Sequence, residues 1–145
     1  MVRTKISTKA VSEKSLKRQW HEVDVSGKVL GRIVPEIVKL LQGKNKVTYV
    51  PYLDAGDYVV IVNAKKIKLT GRKLSTKTYT YYSGYPGGLR TVKAGDLLEQ
   101  NPAEIIKHAV LGMLPKNKLR DRRIARLHIF ADGSHPYKDK FSAKS

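Results

Sequence analysis

The chain has 145 residues, no cysteine, and 29 Lys and Arg against 12 Asp and Glu, a formal net charge of +17. That length fits one domain with a real core, and the missing thiol excludes disulfides, cysteine-ligated zinc and thiol nucleophiles. The charge exceeds the roughly 2 to 8 that keeps a small domain soluble and is tolerable when a polyanion neutralises it, so nucleic acid is the first candidate partner, ahead of an anionic membrane surface or another acidic partner.

Residues 1–19, "MVRTKISTKAVSEKSLKRQ", hold six basic residues, among them Arg3 and Lys5, against Glu13 alone. They lack a clear period and read as a basic arm, with a loose likeness to an organellar transit peptide. No apolar h-region opens the chain, and no apolar run reaches the roughly 18 residues of a membrane span, so neither secretion nor membrane insertion is expected.

"WHEVDV", Trp20 to Val25, alternates as a strand with His21, Val23 and Val25 on one side, and Ser26-Gly27 supplies its exit turn. A helix is predicted from about Gly31 to Gln42, with Ile33, Ile37, Leu40 and Leu41 at helical spacing, widened by Val34 and Val38. Pro35 is tolerable only in a first turn, which moves the expected regular helix start toward Val34; Gly43 is the expected left-handed cap. "DYVVIVN", Asp57 to Asn63, has the continuous apolar run of a strand covered on both faces, and Asn63 is placed to cap a short helical turn at Ala64 to Ile67.

"TYTYY" is a further strand candidate. Two helices follow, the short "AGDLLEQ" and "NPAEIIKHAVLGML". In the second, Asn101 is the expected N-cap, Pro102 the first helical residue and Glu104 the partner in a capping box. Ile105, Ile106, Ala109, Val110 and Met113 form its expected buried face, and Pro115 stops it. "NKLRDRRIA" reads as basic and helical, "RLHIF" as a last buried strand, and "ADGSHPYKDKFSAKS" as a turn and polar tail. Strands alternating with helices predict an α/β sheet with helices on its faces.

Catalytic and cofactor motifs fail on spacing. Gly27 and Gly31 in "VDVSGKVLGRI" are neither a Walker loop nor a dinucleotide fingerprint. His21, His108, His128 and His135 lie in separate elements without ligand spacing and read as structural. Asp54 and Asp57 read as turn and strand-entry residues. Ser83 lacks a nucleophile elbow. No catalytic residue, metal site or cofactor is expected.

The stretch "TYTYYSGYPGGLR", Thr78 to Arg90, packs four tyrosines and three glycines with no acid. Tyr79 and Tyr81 share one strand face, Thr78, Thr80 and Tyr82 the other. Tyr85 falls in a glycine-proline turn with no regular face to bury it, and Gly87 and Gly88 allow close backbone approach. Arg72, Lys73, Lys77 and Arg90 suit phosphates, and an exposed tyrosine can stack on an unpaired base. Around it, Lys65 to Lys93 holds eight basic residues and no acid, and Lys116 to Arg126 six against Asp121. Single-sign runs in three places favour an extended anionic partner over plain solvated faces.

"VDVSGKVLGRI", "NAKKIKLTGRKL", "YYSGYPGGLR" and above all "HAVLGMLPKNKLRDRRIARLHIFADGSHP" resemble the bacterial form of the large-subunit ribosomal protein L-thirteen family, in register from about Trp20 to Pro136. The resemblance implies a compact three-layer α/β/α domain with a parallel four-stranded sheet over residues 20–136, flanked by the arm (1–19) and a tail (137–145). It implies a non-catalytic constituent of the large ribosomal subunit that binds large-subunit rRNA and acts early in assembly. Neighbouring subunit proteins would be its other partners, with no small-molecule substrate and no obligate homo-oligomer. The location implied is the cytoplasmic ribosome, with an organellar ribosome as the open alternative.

Carried over by position, RNA contact falls on Lys44 and Lys46, on Arg72 to Lys77, on Ser83 to Gly88 with Tyr82 and Arg90 beside them, and on Lys116, Asn117, Lys118, Arg120, Arg122 and Arg123. Two places depart from the family's usual pattern: Tyr82 stands where His is frequent, and "HPYKDKFSAKS" replaces a tail reading like H-P-H. Two rival readings are an RNA-modifying or nucleotide-using enzyme on the same sheet, and a basic nucleic-acid module outside the ribosome.

Overall fold

The computed structural model describes residues 10–142; Arg3 and Lys5 lie outside that range. The described residues form five strands, β1 (Trp20–Asp24), β2 (Tyr58–Val62), β3 (Thr78–Tyr82), β4 (Leu89–Lys93) and β5 (Leu127–Ile129), and six helices. The helices are α1 (Leu30–Gln42), α2 (Lys73–Thr76), α3 (Ala94–Gln100), α4 (Pro102–Met113), α5 (Arg120–Ile124) and α6 (Lys138–Ser142). Short 3-10 turns occupy Glu13–Ser15 and Ala64–Lys66.

Among the described residues the main sheet has three parallel strands in the order β1-β2-β5, with His21 opposite Val59 and Ile61 opposite Ile129. An isolated parallel bridge joins Val29 to Lys68 beyond it. The continuous apolar run of β2 is explained by its central place: Val59, Val60, Ile61 and Val62 are all buried. Val59 and Ile61 face a core built with Ile33, Val34, Ile37 and Leu41 of α1 and Ile105, Ile106 and Val110 of α4.

The opposite face is aromatic. Trp20 stacks on Tyr58 at 4.4 Å between ring centroids and on Tyr137 at 5.1 Å, and His128 lies 4.7 Å from Tyr137. Phe141 meets the Trp20 edge at 6.4 Å. The segment after Pro136, polar by composition, thus lays Tyr137 and Phe141 over the sheet. His135 fixes its entry: the ring is buried, its Nδ1 accepts the Tyr137 N–H at 3.2 Å, and its Nε2 lies 3.5 Å from Glu22.

Several local expectations are corrected. Helix α1 starts at Leu30 and runs through Pro35. Its first turn is anchored from outside, because Leu30 N–H donates to Lys68 O at 3.0 Å and Leu30 is buried. Gly43 does cap α1 at φ 77°. Asn63 gives its side chain to Asp24 Oδ1 at 2.9 Å instead of capping the next turn, and this bond holds the Asp24 carboxyl below the usual range. Glu104 does not close a capping box with Asn101, because its carboxylate accepts the Tyr81 hydroxyl at 2.9 Å. Met113, expected in the buried face of α4, is 46% exposed.

Gly56 shows how tightly the sheet meets α1: a Cβ there would lie 1.7 Å from Leu41 O and 2.7 Å from Arg126 Nη2. Gly112 in α4 has open space around the same position. Gly56→Ala is expected to cost about 3 kcal/mol or slightly more, as overpacking against immobile backbone does. Gly112→Ala should instead be neutral or stabilising by up to about 1 kcal/mol. Urea unfolding of both variants checks the contrast.

Candidate nucleic-acid interface

The strand "TYTYY" is half of a hairpin. β3 pairs antiparallel with β4 as a separate two-stranded sheet, Tyr79 opposite Val92, Tyr81 opposite Arg90 and Tyr82 opposite Leu89. The inner face carries buried Tyr79, edge-on to His108 of α4 at 5.2 Å, and Tyr81 bonded to Glu104. Burial raises the Tyr79 phenol pKa, and the Glu104 hydrogen bond raises that of Tyr81, so both stay neutral structural groups at ordinary pH. Tyr82 and Leu89 face outward, 68% and 62% exposed.

Ser83 to Gly88 close the hairpin. Gly84 and Gly87 take φ 84° and 71°, conformations that side-chain-bearing residues rarely adopt. A Cβ on Gly88 would lie 1.9 Å from Ser83 Oγ, so this loop turns on itself and holds Tyr85 out, 73% exposed. Arg90 is also exposed. β4 itself went unread in the sequence, since "LRTVK" has one strong β-former facing inward and becomes a strand through its partner.

The basic candidates divide into two sets. Lys44, Arg72, Lys73, Lys77, Lys116, Lys118 and Arg122 are exposed, and Arg120 is half-buried. Asn117 is exposed too, but its side chain is already engaged, accepting the Leu119 N–H at 3.1 Å to start the turn into α5. Lys46 and Arg123 point inward, correcting their expected role at an RNA surface. Lys46 Nζ pairs with the buried Asp57 carboxylate and donates to Lys17 O at 2.7 Å and Ala55 O at 3.0 Å. Arg123 is 2% exposed, with its Nε 3.8 Å from Asp54 Oδ1.

Asp54 and Asp57 organise this inner set and are therefore more than turn residues. Arg126 forks onto Asp54 through Nη1 and, at 2.5 Å, Nη2, which also donates to Leu41 O at 3.1 Å. Arg18 reaches Asp54 O at 3.0 Å and Gly56 O at 2.7 Å. Asp57 accepts the Gln19 N–H at 3.0 Å and sits 2.8 Å from His21 Nε2. A carboxylate pair with Lys, Arg and His on both sides of it in the chain was the available signal, but sequence spacing does not reveal which of them pair with it.

Three of the outer set, Lys44, Lys73 and Lys77, line clefts at α4's C-terminal end. One cleft is lined by Arg32, Lys68, Lys73 and Lys77 with Leu69 and Met113. A second, carrying Lys39 and Lys44, shares Met113. Arg32, Lys39 and Lys68 were not singled out in the sequence; Lys68 lies within the acid-free run, while Arg32 and Lys39 are isolated charges on the polar side of α1. Among the described residues no carboxylate pairs with Arg32, Lys68, Lys73 or Lys77. The described histidines and carboxylates form no group of three that could hold a metal ion, and no described helix is long and apolar enough to cross a membrane.

The arrangement, cations spread over loops and helix ends beside exposed tyrosines, can neutralise and stack on nucleic acid. The sequence profile described as Ribosomal protein L13 matches residues 18–136. The chain belongs to the ribosomal protein L13 family. Among its relatives in this family, the large ribosomal subunit protein uL13 of Citrifermentans bemidjiense is 50% identical over 132 residues, 91% of this chain and 93% of the relative. The uL13 of Clostridioides difficile is 50% identical over 122 residues, 84% and 85% of the two chains. The family is one of structural, non-enzymatic proteins, which removes the rival enzyme reading.

The buried aspartates set an acid limit. Burial by itself raises the Asp54 pKa, but the Arg126 hydrogen bonds and the charges of Arg126, Arg18 and Arg123 outweigh it, leaving it below 3.8. At Asp57 burial likewise raises the pKa, and the hydrogen bonds from Lys46, the Gln19 N–H and His21 together with the Lys46 charge outweigh it and lower it. Folded-state values below the unfolded ones mean the stabilisation is complete above 3.8 and is lost as pH falls through the folded-state values. Stability measured by urea unfolding should drop below about pH 4. Asp54→Asn should cost about 3–5 kcal/mol at pH 7, with the gap to the parent closing as pH is lowered.

Proposed function

We propose that this chain is a structural, non-catalytic constituent of the large ribosomal subunit that binds large-subunit rRNA and supports early subunit assembly. Family membership over residues 18–136 carries the reading, and the exposed cations of the acid-free run from Lys65 to Lys93 support it. The proposed contact set is Arg3 and Lys5 in the arm, Lys44, Arg72, Lys73, Lys77, Tyr82, Ser83, Tyr85, Gly87, Gly88 and Arg90, then Lys116, Lys118, Arg120 and Arg122. Asn117 belongs to the proposed set too: its Oδ1 shapes the last loop by accepting the Leu119 N–H, and its exposed amide nitrogen would face the RNA. Phosphates would be met by the cations, with the glycine-rich hairpin loop permitting close backbone approach and Tyr82 and Tyr85 free to stack.

We infer further that residues 20–136 are the rRNA-binding unit, with 1–19 an arm and 137–145 a tail. The Val29–Lys68 bridge marks the place of a fourth parallel position, and α6 lies on the sheet face opposite α1 and α4, features that support the family's four-stranded, three-layer form. Neighbouring subunit proteins complete its surroundings in the ribosome; a membrane, a small-molecule substrate and an obligate homo-oligomer have no part in this reading.

Binding to large-subunit rRNA should weaken steeply with salt, with a log–log slope of about 0.7 to 0.9 per neutralised phosphate and several phosphates involved. A filter-binding series that finds affinity insensitive to salt would falsify the electrostatic mechanism. Replacing Arg72→Ala and Arg90→Ala together should weaken binding by about two orders of magnitude or more, since each hydrogen bond to a charged group supplies about 1.5–3 kcal/mol, without moving the melting temperature. Normal affinity with early melting would make both residues structural.

A further inference from the structure

We propose that the cleft between the start of α1, the segment leading into α2 and the end of α4 receives a single unpaired ribonucleotide. Its phosphate is held by Arg32, Lys68, Lys73 and Lys77, and its base lies against Leu69 and Met113. The assignment deepens, and rests on, the reading of the chain as an rRNA-binding protein.

Three separate parts of the chain send cations to this place: Arg32 from α1, Lys68 from the bridged segment, Lys73 and Lys77 from the two ends of α2. No acidic residue lines it. By contrast, the larger cleft of about 650 Å³ beside β5 mixes Glu104 with Lys107 and His108 and has no single-sign character. Clustered ammonium and guanidinium groups repel one another, and the natural ligand for such a cluster is a phosphate.

Phosphate alone leaves the other wall unexplained. Val29, Leu30, Leu69, Ala109 and Met113 make that wall apolar, and Met113 is 46% exposed at the end of a helix whose other large apolar residues are mostly covered. A flexible, polarisable thioether suits the face of a base. A base inside a duplex cannot reach such a wall; an unstacked one can, and unpaired nucleotides are where proteins read RNA. The volume, about 370 Å³, falls at the small end of the roughly 300–1,000 Å³ typical of ligand clefts, enough for one nucleotide. The adjoining cleft with Lys39 and Lys44 shares Met113, so cations are in place for a neighbouring phosphate. That continuity favours a nucleotide within a strand over a free one.

The test uses the full chain with Met113→p-benzoylphenylalanine, irradiated with deproteinised large-subunit rRNA or with AMP alone. The expected result is a crosslink to one nucleotide that chemical probing finds unpaired in the free RNA, and none to AMP at micromolar concentration. In a parallel measurement, Arg32→Ala with Lys68→Ala should lower rRNA affinity about tenfold or more, as loss of charged hydrogen bonds does, at unchanged melting temperature. Crosslinks spread over paired regions, or unchanged affinity in the double variant, would overturn the nucleotide site while leaving salt-sensitive rRNA binding standing. Capture of AMP at micromolar concentration would overturn the RNA-strand assignment in favour of a free nucleotide. Failure of the unsubstituted chain to bind rRNA at all would overturn both readings.

Discussion

Asp54 and Asp57 are buried anions three residues apart, and Arg18, His21, Lys46, Arg123 and Arg126 are drawn to them from before β1, from β1, from the loop after α1 and from α5 onward. In a chain so rich in positive charge, this network does two things. It closes the loop between α1 and β2 onto both outer strands of the parallel sheet. It also sorts the cations, consuming some inside the fold and leaving others, among them Arg32, Lys68 and Lys73, exposed on the surface without a carboxylate partner among the described residues. Exchanging this network for apolar residues could preserve a core, but it would remove the geometry that seats β2 between β1 and β5.

The sorting explains where sequence reading succeeds and where it stops. Helix α1, strand β2 and helix α4 were legible because their apolar spacing reports burial directly, and Gly43 and Pro102 mark their ends as expected. Lys46 and Arg123 could not be separated from Lys44 and Arg122 by position in a basic run. The difference lies in carboxylates distant in sequence, 57 against 46 and 54 against 123. The same reasoning covers Glu104, whose spacing fits a cap but whose partner is Tyr81 on another element. Pro35 misled because the first turn of α1 is held by a backbone bond from Lys68, a constraint outside the local window.

The tyrosine-glycine stretch from Thr78 to Arg90 resolves into two parts, one packed and one presented to solvent. Tyr79 and Tyr81 tie the hairpin to α4, while Tyr82 on the outer face and Tyr85 in the connecting loop are presented to solvent; Arg90, opposite Tyr81, is exposed at the edge of the inner face. A rigid inner face thus aims a loop whose glycines give it its shape, so the proposed contact residues stand on supported backbone. Family resemblance located this loop, and the strand pairing gives the physical reason for its position.

The aromatic cover of the sheet has a consequence for how the chain is made. Residues 127–129 of β5 pair with 59–61 of β2, 68 positions earlier (127 − 59), and Tyr137 and Phe141 then lie over Trp20. Synthesis proceeds from the N-terminus, so β1, β2 and α1 emerge long before the strand and the rings that finish the sheet. Until then the β2 edge and the Trp20 face are open, and Asp54 lacks its Arg126 partner. Such distant pairing is slow to form. The nascent chain is therefore an incompletely neutralised, strongly cationic polymer during much of its synthesis, and early engagement of an RNA would shield it while the last strand is still being added.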